Sequence, residues 1–242
     1  MKNITNKKYE AFSLVEMLIT IAIIGMVMLI SSITLTSLIK VSTVASNKIR
    51  ARNESEFVLE LVRRTVRNSD PSDVYIFKTD TARARTYDPD SGVVINSQLV
   101  DIKELYAQKL GENQLGNEIH FRPYGYEDWI CLAFFESSKN IDGMEEEDKR
   151  GYILRTTAQD LSGAHETCFQ SGGSYENYLI ALNSDYVDIN NFTIAYTISN
   201  DSNYIIRFDI ASEPVDWYLG DGAPIKKEVF RQGIVSTEGL IW

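Results

Sequence analysis

After a short basic leader, the chain is almost wholly apolar from residue 12 to residue 39. Glu16 is the only charged residue between Glu10 and Lys40. About 20 apolar residues suffice for a helix to cross a bilayer, so this run predicts a membrane span. A carboxylate at mid-membrane costs roughly 2.5–3.5 kcal/mol on insertion scales. At 1.5 Å rise per residue, Glu16 lies only about 6 Å in from Phe12 and reaches the headgroups by snorkelling. Gly25 is a point where the span can loosen.

Beyond Lys40 no helix breaker occurs until Asn68-Ser69-Asp70-Pro71. The pattern predicts a single helix over 12–69, roughly 85 Å long. Its second part is amphipathic: Val58, Leu59, Val62 and Val66 share one side, flanked by Phe57 and Leu61. Glu56, Glu60, Arg63, Arg64 and Arg67 fall opposite, with Glu60 spaced to pair with Arg64 at i,i+4. The apolar stripe lapses over 51–55, as expected where a helix has left the membrane and not yet reached its domain. No a/d heptad persists across that lapse, which argues against a coiled coil.

After Pro71 the period changes. Asp88-Pro89-Asp90-Ser91-Gly92 reads as a turn before Val93-Val94-Ile95, and 101–110 as a short helix ended by Gly111. Strand patterns follow at 118–122, 129–135, 152–157, 178–182, 187–198, 204–210 and 229–237. Asn200-Asp201-Ser202-Asn203 supplies a hairpin turn. The economical solution is an α+β fold, an antiparallel sheet packed on the apolar face of the helix.

The stretch Ala11-Phe12-Ser13-Leu14-Val15-Glu16 resembles the processing signature of the type IV pilin and pseudopilin family. There, a leader ending in glycine precedes phenylalanine, a short polar residue, leucine, a branched aliphatic, glutamate and a membrane helix. Phe12, Ser13, Leu14, Val15 and Glu16 match in order and spacing; Ala11 departs from glycine but keeps its small size. The resemblance covers about the first quarter of the chain. It implies cleavage by a prepilin peptidase between Ala11 and Phe12, methylation of the new amine, and assembly with other pilins through Glu16. It also implies the pilin-like fold, divided into leader 1–11, long helix 12–70 with its anchor at about 12–39, and an exported β-rich domain 71–242. Size and the closing strand resemble the large minor pilins or J-type minor pseudopilins. Many major pilins carry a proline in the membrane helix, and none stands here.

Two other readings of the start fit less well. A secretory signal cut at Ala45 explains the basic leader, but its apolar core runs only about 7–15 residues. A plain signal anchor explains the length and leaves Phe12-Ser13 and Glu16 unexplained. Flanking charge does not orient the span, since Lys2, Lys7 and Lys8 face Lys40, Lys48, Arg50 and Arg52 across it. The leader-inside orientation therefore rests on the resemblance.

Formal net charge is −10, and removing a leader of net +2 leaves −12. That balance argues against nucleic-acid binding over a broad surface. Arg83, Arg85 and Lys226-Lys227 read as solvated charge. Cys131 and Cys168 are the only cysteines, and export favours a disulfide between them over two separate buried thiols. No Cys-x-x-Cys or histidine cluster suggests a metal. The acidic stretch at 142–148, like Asp88 and Asp90, lacks the spacing of a calcium loop. His120, in a strand pattern, and His165, in a polar loop, read as structural or surface residues. No nucleophile elbow, phosphate loop or paired zinc histidines occur, so no catalytic residue and no cofactor is expected. The expected function is a non-enzymatic minor subunit of a type IV pilus or type II secretion-like filament, anchored in the cytoplasmic membrane. A filament-displayed adhesin, a DNA-uptake pilin and an unrelated anchored domain are the alternatives.

Overall fold

The computed structural model describes residues 13–78, 86–95, 108–140, 149–158, 168–169, 179–198, 204–215 and 228–237. Two compact units divide the chain, Met1–Ala45 and Ser46–Trp242. Helix α1 (Leu14–Arg67) contributes to both. It runs through Gly25 without a break and ends two residues short of the expected limit. Asn68 donates its N–H to the Thr65 carbonyl and Ser69 Oγ donates to the same oxygen, closing the last turn.

The described residues of the second unit form eleven strands: β1 (Ser69–Lys78), β2 (Thr86–Asp88), β3 (Val93–Ile95), β4 (Gln108–Lys109), β5 (Glu118–Pro123), β6 (Trp129–Asn140), β7 (Lys149–Ala158), β8 (Ile180–Ala181), β9 (Val187–Ile198), β10 (Tyr204–Pro214) and β11 (Val229–Ser236). They form two sheets. In the larger, the order is β3-β2-β6-β5-β1-β4, with β7 added on β6 and β8 on β7; the smaller is β11-β10-β9. Pairing is antiparallel except between β2 and β6, which run parallel. Gly116 and Ile194 join the sheets by a reciprocal backbone bridge, 2.7 and 2.8 Å.

Alternation along the strands of the larger sheet sorts side chains into two cores. Ile119, Phe121, Ile130, Leu132 and Ile153 face the smaller sheet and α1. Trp129, Cys131, Ala133, Phe135, Tyr152 and Leu154 face the other way and meet Tyr87, Cys168 and Phe169. The α+β class and the antiparallel packing on the helix are as the pattern predicts.

Several local expectations change. The stretch containing Pro71 stops the helix, yet Ser69 already pairs with Pro123. Register shifts between Ser69 and Val74, so Pro71 sits in an irregular stretch where its missing N–H breaks no regular ladder. Lys109 belongs to β4, and Leu110 N–H donates to the Ile76 carbonyl; the expected helix over 101–110 therefore fails at its end, because these backbone groups bond to β1. Residues 101–107 lie outside the described residues, as do the 200–203 turn, the acidic stretch 142–148, Arg83, Arg85, Lys226, Lys227 and His165. The turn at 88–92 forms as expected: Gly92 N–H donates to the Asp88 carbonyl, and Gly92 takes φ of 69°, a conformation glycine adopts freely.

The lapse at 51–55 is the main correction on the helix. Ala51 and Ser55 are fully buried, continuous with Val58, Leu59, Val62 and Val66. Small side chains there admit close approach of the sheet. Full burial on the helix thus begins at Ala51, earlier than an apolar stripe could indicate.

Candidate assembly site

Ser13 stands immediately before the first turn of α1. Its Oγ accepts from Glu16 N–H at 3.2 Å, and Glu16 Oε2 accepts from Ser13 N–H at 3.0 Å. This reciprocal pair is a capping box, which satisfies two of the backbone donors that a helix start leaves open. It also holds a carboxylate at the positive end of the helix dipole. Glu16 is therefore a charge with local partners inside its own helix.

Among the described residues, the run from Met17 to Ile39 carries no charged side chain. Helix α1 is long and apolar enough to cross a membrane, and its apolar run is exposed. The hydroxyls of Thr20, Thr34, Thr36 and Thr43 each donate to the carbonyl four residues back, at 2.7 to 3.0 Å. In hydrocarbon such back-bonding removes the penalty of an unmatched hydroxyl.

A family model described as the prokaryotic N-terminal methylation motif matches residues 6–32. The chain is type IV pilin/pseudopilin-like. The match takes in Ala11, Phe12, the Ser13–Glu16 capping box and most of the apolar run. No curated protein and no solved structure gives a significant match. The pilin-like architecture, a long N-terminal helix packed on antiparallel sheet, agrees with the motif.

Of the residues singled out from sequence, Ala11 and Phe12 lie outside the described residues. Glu16 sits in the first turn of the pilin-like helix. Cys131 and Cys168 are disulfide-bonded, with Cα atoms 6.3 Å apart, in the second core. His120 is buried on β5 with its Nε2 2.6 Å from Glu118 Oε1.

Sequence reasoning passed over Ser13 as a helix cap, although Ser-x-x-Glu before an apolar run is its signature. It also passed over Glu118, which shares a strand face with His120 two residues on. Glu54 gave no signal at all. Its carboxylate accepts from Ser184 N–H at 2.9 Å and Ser184 Oγ at 2.7 Å, tying α1 to the turn before β9. Arg50, one turn earlier, lies over the Tyr186 ring at 4.2 Å.

Proposed function

We propose that this chain is a non-enzymatic minor pilin or pseudopilin, made with a leader that prepilin peptidase removes between Ala11 and Phe12. The span at about 12–39 anchors it in the cytoplasmic membrane, and the β-rich domain lies outside. In a filament, the amine of one subunit's Phe12 pairs with Glu16 of a neighbour.

The observation that carries this reading is the position of Glu16: a single carboxylate in the first turn of a long apolar helix, within the methylation motif. An α-amino group has a pKa near about 8 and is largely cationic at neutral pH. When helices stack away from water, each charge is costly unless paired, so the pair sets axial register more than it adds net stability. The exported compartment favours the Cys131–Cys168 bridge.

Intact mass of the membrane-extracted protein tests the processing step, with the mature chain beginning at Phe12 and carrying one methyl group. A start after Ala45 overturns it. Crosslinking to partner pilins tests the pair. A capping box accepts Gln as well as Glu, so Glu16→Gln keeps the cap and removes the charge, whereas Glu16→Val removes both. Both variants insert into the membrane, and both lose crosslinking. If Glu16→Gln crosslinks like wild type, the charge is not the assembly contact.

A further inference from the structure

We propose that, when its disulfide is reduced, the core beneath β5 and β6 binds one zinc ion through Cys131, Cys168 and His120, with Glu118 orienting the histidine. His120 and Cys131 are direct cross-strand partners, which puts their side chains on one face of the sheet. Cys168 reaches the same place from a distant turn. One ligand atom from each of the three residues lies within 4.8 Å of the others, and all three residues are buried.

Two thiolates and an imidazole suit Zn²⁺, and three protein ligands leave a fourth position for water. Glu118 is the second, independent feature. Its carboxylate is also buried and holds Nε2 at 2.6 Å, the arrangement that fixes ring orientation and tautomer in carboxylate–histidine–zinc sites. The ion then takes Nδ1. Zinc with two thiolates is neutral, so filling the site adds no net charge to an apolar core.

The oxidised and reduced chains use the same residues differently. An exported dithiol gives two electrons and two protons to the Cys131–Cys168 bond and becomes a disulfide itself. Zinc then displaces both thiol protons to solvent. Because the site is enclosed, the ion enters as the reduced chain folds.

The test uses the full-length chain in detergent, refolded after reduction by a phosphine, which takes an oxygen from water and becomes the phosphine oxide. Cobalt(II) serves as the spectroscopic probe. One equivalent binds, with tetrahedral d–d bands and a thiolate-to-cobalt charge-transfer band, and zinc abolishes both. The oxidised chain shows neither band. Glu118→Gln weakens cobalt binding about 10- to 100-fold while keeping the bands, and His120→Ala weakens it further and shifts them. A folded, reduced chain that binds no cobalt overturns the proposal. So does binding without the charge-transfer band, an unaltered spectrum in His120→Ala, or a reduced chain that stays unfolded with and without metal.

Discussion

The hydroxyls of Ser55 on α1 and Ser212 on β10 meet at 2.7 Å across 157 residues of chain, both fully buried. Each hydroxyl also has a backbone acceptor, the Ala51 carbonyl 2.8 Å from Ser55 Oγ and the Val229 carbonyl 3.5 Å from Ser212 Oγ, and either serine can supply the proton between them. A polar contact closes the stretch of helix where apolar side chains lapse. Ser55→Ala should cost about 1–2 kcal/mol, since it leaves the Ser212 hydroxyl in the core without its short partner. Ser55→Val should cost at least as much by overpacking. Chemical unfolding of the full chain, followed by circular dichroism, measures both. The double variant Ser55→Ala, Ser212→Ala should lose less than the sum of the two single losses.

Ser13 and Glu16 give a second prediction, independent of assembly. Replacing Ser13 by Ala removes the cap acceptor and should destabilise the first turn by about 1 kcal/mol, with Thr restoring most of it. In a bilayer, hydrogen exchange at the Glu16 amide should speed up roughly fivefold in Ser13→Ala. An unchanged rate would show that the hydroxyl does not hold this turn.

Gly151 offers a sharper steric test. β9 crosses so closely that a Cβ at Gly151 would collide with the Ile189 carbonyl oxygen, and the Phe134 ring stands 2.6 Å away. The same residue donates its N–H to Asp188 Oδ1 at 2.7 Å and accepts from Asn183 Nδ2 at 3.1 Å. Gly151→Ala should therefore cost about 3 kcal/mol or prevent folding. At Gly111 an added Cβ meets only ordinary contacts, so Gly111→Ala should stay within about 0.5 kcal/mol. Expression and thermal midpoint of the two variants, compared side by side, decide the matter.

Alkaline pH should expose Tyr152. Burial pushes its hydroxyl up to about 12, and its hydrogen bond to Asp185 at 2.9 Å adds to the shift. The unfolded chain ionises this tyrosine near its ordinary value of about 10, so between those two pH values the folded state binds more protons. Stability is full below about pH 10 and falls as pH rises toward 12. Tyr87, whose ring packs edge-on against Tyr152 at 5.1 Å, is raised in the same direction, mainly by burial. Thermal midpoints measured from pH 8 to 12 should fall less steeply in Tyr152→Phe than in wild type. Equal slopes would exclude Tyr152 as a source of the decline.

How much of this was legible depends on the range of the interaction. Period and composition are local, and they sufficed for the membrane run, for the buried stripe Val58, Leu59, Val62 and Val66, and for seven of the strands. Glu16 stood out because a charge in an apolar run is visible without neighbours. The capping partner Ser13 was only three residues away and still went unread, because its hydroxyl also fits the processing signature.

The rest was decided by contacts between distant segments. Burial of Ala51 and Ser55 depends on how closely β10 approaches, which the small residues permit but do not announce. Lys109 joins a strand because β1 offers it backbone partners, and no local pattern encodes that offer. The grouping of Glu118, His120, Cys131 and Cys168 follows from cross-strand register together with a link 37 residues long. Alternation placed each strand residue on one of two faces; only the register of β5 against β6 and the arrival of Cys168 determined which of those faces share a core.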